Sequence, residues 1–185
     1  MKHLPALILP ILFWSQTVIA QDKLVKTKIN DEIIIELPES LHSMSDGERI
    51  DKFVSSKTPL GVFTSTDRTV DLGINTNIMP WIEGDEEKLR SFYKGTYETL
   101  FNSVEYLQDT IKEINGKKFI VFEFVSSLEE ENAFSGIKTS KYYSYIQYTS
   151  YHGQILLFNF GCKPRQMTRW QPVVKEMMGS IIVKD

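Results

Sequence analysis

The segment Phe119-Ile120-Val121-Phe122-Glu123-Phe124-Val125 limits the possible folds more than any other. In an extended chain Phe119, Val121 and Val125 point one way, and Ile120, Phe122 and Phe124 the other. A strand that is apolar on both faces has to be central, with a covering layer on each side. Asn115-Gly116, just before it, is a strong short hairpin signal. Glu113 should therefore pair with Lys118, and the strand should join an antiparallel neighbour.

The stretch Lys141–Phe160, KYYSYIQYTSYHGQILLFNF, reads as a second hairpin turning at His152-Gly153. With Tyr151 opposite Gln154, Tyr143, Tyr145, Gln147, Thr149 and Tyr151 share a face with Leu156, Phe158, Phe160 and Cys162. The other face carries Tyr142, Ile146, Tyr148, Ile155 and Leu157, with Ser144, Ser150 and Asn159. Tyrosine suits such strands because its ring packs on the pleat while its hydroxyl reaches a partner or water. Covered sheet strands are the favoured reading. The rival is an aromatic docking surface, with Tyr143, Tyr145, Tyr151 and His152 as candidate partner-binding residues.

Other elements follow from periodicity. Residues 24–40 form a hairpin around Asn30-Asp31, closed by Pro38. Ser45 with Glu48 is a capping-box pattern for a short helix. Two strands flank Thr66–Thr69; in the second, Val70, Leu72, Ile74 and Ile78 alternate with Asp71, Gly73, Asn75 and Asn77. The polar row Asp71, Asn75 and Asn77 is a candidate ligand groove between sheet and helix. Asp85 is the expected N-cap of the main helix, with Glu86 and Glu87 in its first turn. Its apolar stripe is Leu89, Phe92, Tyr93, Thr96, Tyr97, Leu100, Phe101 and Val104. Leu128–Gly136 reads as a polar loop. A last helix carries Met167, Trp170, Val174, Met177 and Met178; Pro172 implies a start near Gln171 or a kink. Gly179 is its expected C-cap, and Ile181–Val183 a short final strand or tail. Strands joined by hairpins, with two helices for two faces, imply an antiparallel sheet in a helix–sheet–helix sandwich.

The N-terminus reads as a secretory signal peptide over residues 1–20. Lys2 precedes an uncharged run from Leu4 to Trp14, and Val18-Ile19-Ala20 is an A-x-A-like cleavage site. That run is eleven residues, short of the roughly 20 a spanning helix needs. Gln21 stands where a lipid anchor would need Cys. The expected product is a soluble exported domain, residues 21–185, periplasmic or extracellular. It holds four more acidic than basic residues, which excludes a nucleic-acid footprint. The lone Cys162 cannot form an intramolecular disulfide and falls on an apolar strand, so burial is expected.

No motif for chemistry stands out. His42, Asp46 and Glu48 are close in sequence, but a solvated helix start explains them better than a metal site. His42 and His152 have no nucleophile motif around them, and no phosphate-cradling glycine pattern occurs. The expectation is no catalytic, cofactor-binding or metal residues.

The element order resembles the Mog1/PsbP-like family, along with a strand ending in Leu37-Pro38-Glu39-Ser40, the Asn-Gly and His-Gly hairpins, and a helix running into Gly179-Ser180-Ile181. The resemblance spans about residues 28–183. It implies an α+β fold, an α/β/α three-layer sandwich on a mostly antiparallel sheet. Relatives in that family are mostly accessory proteins: a photosystem subunit, a partner of a nuclear-transport GTPase, and bacterial envelope proteins. With the export signal, the expectation is a non-enzymatic binding or accessory protein of the bacterial cell envelope, with a protein partner and no cofactor. The alternatives are a small-ligand carrier and, behind it, an unrecognised hydrolase.

Overall fold

The structure is a computed structural model that describes residues 22–45, 47–48, 58–132 and 136–184, the side chains of 131 and 132 excepted. The segment expected to be a signal peptide and Asp46 lie outside the described residues, as does most of the helix expected after Ser45. The capping-box contact itself is present: Glu48 Oε2 takes the Ser45 N–H at 2.9 Å, and Ser45 Oγ takes the Glu48 N–H at 3.4 Å.

The chain forms β1 (Leu24–Lys28), β2 (Ile33–Pro38), β3 (Leu41–Ser43), β4 (Gly61–Ser65) and β5 (Val70–Pro80). Helix α1 (Glu86–Leu100) follows. Then come the hairpin of β6 (Ser103–Ile114) and β7 (Lys117–Asn132), and the hairpin of β8 (Gly136–Tyr151) and β9 (Gln154–Cys162). Helix α2 (Pro164–Gly179) and β10 (Ile182–Val183) end it. Seven strands make the main sheet in the order β3-β4-β5-β9-β8-β7-β6. Every pairing in it is antiparallel. A smaller sheet joins β1, β2 and β10, so the C-terminal residues pair back onto β2 through Ile182↔Ile34 and Val183↔Ile33.

Two cores fill the sandwich. On one face α2 and β2 pack on the sheet, burying Phe119, Val121, Tyr143, Tyr145, Phe158, Phe160 and Trp170. Cys162 is also in this core and fully buried; burial pushes its thiol up to about 12. On the other face α1 lays Tyr93 and Tyr97 over Ile120, Phe122, Phe124, Ile146 and Tyr148. Tyr93 stacks on Tyr148 at 4.0 Å between ring centroids, and the Tyr97 and Tyr148 hydroxyls are hydrogen-bonded. β7 is thus covered on both sides, and both expected registers hold: Glu113 opposes Lys118, and Tyr151 opposes Gln154.

Several expectations are corrected. Helix α1 is shorter than its apolar stripe, since Val104 belongs to β6. Phe92 and Leu100 are 52% and 61% exposed, because α1 uses one narrow face on the β6–β8 half of the sheet. Asp85 makes no capping bond; its carboxylate pairs with Lys88 at 2.6 Å instead. Ile78 is 73% exposed, because a register shift between Asn77 and Pro80 ends the alternation of β5. The expected loop at 128–136 is largely strand, with β7 running to Asn132 and β8 starting at Gly136. Helix α2 starts at Pro164 and runs on through Pro172. Proline at the first helical position costs nothing there. The lost Pro172 N–H bond is offset by burial of Trp170, Val173, Val174, Met177 and Met178. Ser180, not Gly179, caps the end: its N–H and its Oγ both donate to the Met177 carbonyl, and its Oγ takes the Glu36 N–H.

Glu123 is the exception in the apolar β7, 1% exposed inside the α2 core. Tyr143 Oη donates to it at 3.1 Å, Gln171 Nε2 also donates, and Lys175 Nζ stands 3.1 Å away. Replacing Glu123 by Ala leaves the buried Tyr143 hydroxyl without its acceptor. We expect a loss of about 2–4 kcal/mol in urea unfolding. On the opposite face Asp109 of β6 ties down α1 through Arg90 at 2.6 Å and Lys94 at 2.8 Å. Burial works to raise the Asp109 carboxyl, but the hydrogen bonds from Lys94 and Arg90 outweigh it and hold it below its ordinary 3.8. A depressed carboxylate stabilises the fold above its unfolded value and loses that contribution as pH falls through the folded one. We expect Asp109→Asn to cost about 1–2 kcal/mol at neutral pH. Its gap to the parent should close in unfolding curves recorded below pH 3.8.

Candidate functional site

Two hairpin turns close at one end of the main sheet. Asn115-Gly116 has φ 49° and 82°, and His152-Gly153 has φ 49° and 72°. Both central residues of each turn are left-handed, as in a type I′ turn, whose twist matches that of the strands it joins. β5 arrives at the same end: Pro80 opposes Gln154, and the Trp81 N–H donates to the Gly153 carbonyl at 2.9 Å. The chain then passes Glu83 and enters α1 at Glu86.

These pieces enclose a groove of about 620 Å³. Trp81, Glu83 and Glu86 line it from the β5–α1 connection, Glu113, Lys117 and Lys118 from the first hairpin, and Ser150 and His152 from the second. Glu86 is only 6% exposed. Burial works to raise its carboxyl, but its own N–H, the Gly84 N–H at 3.3 Å and Lys118 at 3.6 Å outweigh that and hold it below the usual range. An ionised carboxylate at a helix N-terminus is also favoured by the helix dipole. Lys117 reaches across to donate to the Ser150 carbonyl at 2.9 Å. The groove thus presents an aromatic wall with charges of both signs.

The His152 side of the tip is anchored to the small sheet. Glu32 Oε2 accepts from Tyr151 Oη at 2.6 Å and lies 2.8 Å from His152 Nε2, while Asn30 Nδ2 donates to Tyr151 Oη at 3.1 Å. The Tyr151 and His152 hydrogen bonds hold the Glu32 carboxyl below its ordinary value.

Of the residues singled out in the sequence, the structure brings Tyr151 and His152 to the surface together, and His152 lines the groove. Tyr143 and Tyr145 are 0% and 2% exposed beneath α2; that core accounts for them, and no partner reaches them on the folded surface. Asp71, Asn75 and Asn77 do form a row, on the β5 face turned toward the α1 layer, but none of them lines the groove. Asp71 accepts from Thr64 Oγ1 at 2.8 Å, and Asn77 accepts the Met79 N–H at 3.1 Å. Sequence reasoning missed Trp81, Glu86, Lys117 and Lys118. Glu86 resembled an ordinary first-turn acid, and Trp81 stands outside any periodic run. The remaining signal was the pair of Asn-Gly and His-Gly turns, whose tips meet only once the sheet order is known.

No family model matches the chain, and no curated protein matches it in sequence. Solved structures do match in fold. The cyanobacterial PsbP of Synechocystis aligns over 92% of this chain and 98% of its own, at 11% identity and a TM-score of 0.57. LpqN of Mycobacterium tuberculosis, involved in cell envelope biogenesis, aligns over 88% and 91%, at 9% identity and 0.53. The Ran-binding protein Mog1p of Saccharomyces cerevisiae aligns over 89% and 97%, at 10% identity and 0.52. With its antiparallel sheet held between α1 on one face and α2 on the other, the chain has the Mog1/PsbP-like fold.

Proposed function

We propose that the chain is an exported, non-enzymatic binding or accessory protein of the bacterial cell envelope, and that a protein partner docks at the hairpin-tip end. The observation that carries this reading is the groove itself. Trp81, Glu83 and Glu86 from the β5–α1 connection meet Lys117, Lys118 and His152 from the two hairpins there, and recognition surfaces commonly combine an aromatic anchor with polar groups. LpqN and Mog1p add support by analogy: one is described by its part in envelope biogenesis, the other by the protein it binds. Fold alone does not carry function, so the reading rests on the groove.

The test is affinity capture from envelope extracts with the parent chain and with Trp81→Ala/His152→Ala. We expect a discrete partner with the parent and a loss of about tenfold or more with the variant, as for removal of an interface anchor. Equal capture by a folded variant would count against this site. Export has its own check: mass spectrometry of the secreted chain should find an N-terminus near Gln21, and a chain still carrying Met1 would oppose it.

A small-ligand carrier is the second reading. Asp71, Asn75 and Asn77 favour it, since they form one polar strip on the β5 face opposite the buried Val70, Leu72 and Ile74. A ligand in that strip should shift the amide resonances of β5 and leave those of the hairpin tips unchanged.

A further inference from the structure

Strands β7 and β8 keep pairing beyond the rest of the sheet, from Leu128↔Ser140 out to Asn132↔Gly136. On one flank β6 ends with Ser103 opposite Ser127, and Asn102 closes that edge. Its N–H donates to the Ser127 carbonyl at 3.0 Å, and its side-chain oxygen takes the Glu129 N–H at 2.8 Å. The other flank is different. β9 ends with Cys162 opposite Tyr143, and the chain turns away at Pro164 into α2. From Tyr142 out to Gly136, β8 therefore has β7 on one side and no strand on the other. Every residue of that stretch is exposed, with Ile137 at 65% and Tyr142 at 40%.

A two-stranded arm uncovered on both faces is marginally stable by itself. Its free edge presents alternating unpaired N–H and C=O groups, a template for another extended chain. The charges on that edge select the chain. Lys138 and Lys141 lie on it, and Lys163 stands where the continued β8–β9 register would place a partner for Tyr142. None of the three has a salt-bridge partner among the described residues, although β7 runs Glu129, Glu130 and Glu131 along the other side of the arm, with Glu130 opposite Lys138 in register. The first turn of α2 holds no acidic residue, and its N-cap is Lys163 itself, so the positive end of the helix adds to the same field. Pairing this edge with its own copy would set lysine strands against each other, which is unfavourable. An acidic strand would meet complementary charge.

We propose that the β8 edge from Gly136 to Lys141 receives an extended acidic segment of a partner protein, added as a strand in line with β9. The site lies at the opposite end of β8 from the hairpin-tip groove, so it stands or falls independently of that docking site. The probes are a short peptide of alternating Glu and Val, its Lys-Val counterpart, and a Glu-Val peptide with alternate amides N-methylated. The readout is backbone amide hydrogen exchange in the isotope-labelled full chain. The Glu-Val peptide should slow exchange within residues 137–141 and lose its effect in high salt. The N-methylated peptide should fail, because it cannot complete the ladder. Lys138→Glu/Lys141→Glu/Lys163→Glu changes only exposed side chains; it should bind Glu-Val about tenfold or more weakly and gain affinity for Lys-Val. The proposal is overturned if Glu-Val leaves those amides unprotected, or if the N-methylated peptide protects them equally. It is also overturned if they become protected in the chain alone as its concentration rises, which would make the edge a self-association surface.

Discussion

Phe119 and Val121 of β7 are fully buried against the α2 layer, while Ile120, Phe122 and Phe124 are buried against α1. Removing such side chains from water contributes roughly 1.5–3 kcal/mol each before ordering entropy is subtracted. That contribution exists only if both layers are in place. β7 lies beside the edge strand β6 and not at the centre of the sheet, yet both of its faces are apolar, so neither face of the sheet can stay open over it, and the positions of α1, α2 and the small β2 sheet follow from it. β8 repeats the requirement, with Tyr143 and Tyr145 on one side and Ile146 and Tyr148 on the other.

The buried charges are placed where layers meet. Glu123 receives Tyr143 from the neighbouring strand β8, and Gln171 and Lys175 across the sheet–α2 boundary. Asp109 receives Arg90 and Lys94 across the sheet–α1 boundary. Unpaired, either carboxylate would be costly so far from water. Paired, each has its full complement of donors only when its helix sits at one position on the sheet. Apolar packing alone would allow a helix to slide. These contacts give a physical reason for the helix registers.

Core demands also explain where recognition surfaces can form. The apolar side chains of β7 and β8 are consumed in the middle of the strands, and polar or isolated aromatic residues collect at both ends. At one end three chain reversals bring Trp81, Glu86, Lys117, Lys118 and His152 around a common groove. At the other end the two strands outrun their neighbours, because β9 turns into α2 at Pro164 while β7 and β8 continue.

Local pattern was enough for much of this. The double-sided alternation of residues 119–125 required two covering layers, Asn115-Gly116 and His152-Gly153 set both hairpin registers, and the apolar setting of Cys162 implied burial. These depend on period-two geometry and on turns that need positive φ, which neighbouring residues dictate. The burial of Phe92 and Leu100 was misjudged because a stripe shows which side of a helix is apolar but not how much sheet lies beneath it. Ile78 failed for a similar reason, a bulge that the alternation does not announce. Leu128–Asn132 was hidden by its glutamates, since composition reports solvent exposure and an exposed strand differs from a loop only in its backbone partner. The groove was the least legible feature, because its residues come from separate segments and meet only through the order β5-β9-β8-β7-β6. The sequence by itself determined which residues must leave water and where the chain must turn. Tertiary structure alone decided which turns and strand ends share a surface, because strand order is set by the summed packing of the whole sheet and not by any local run.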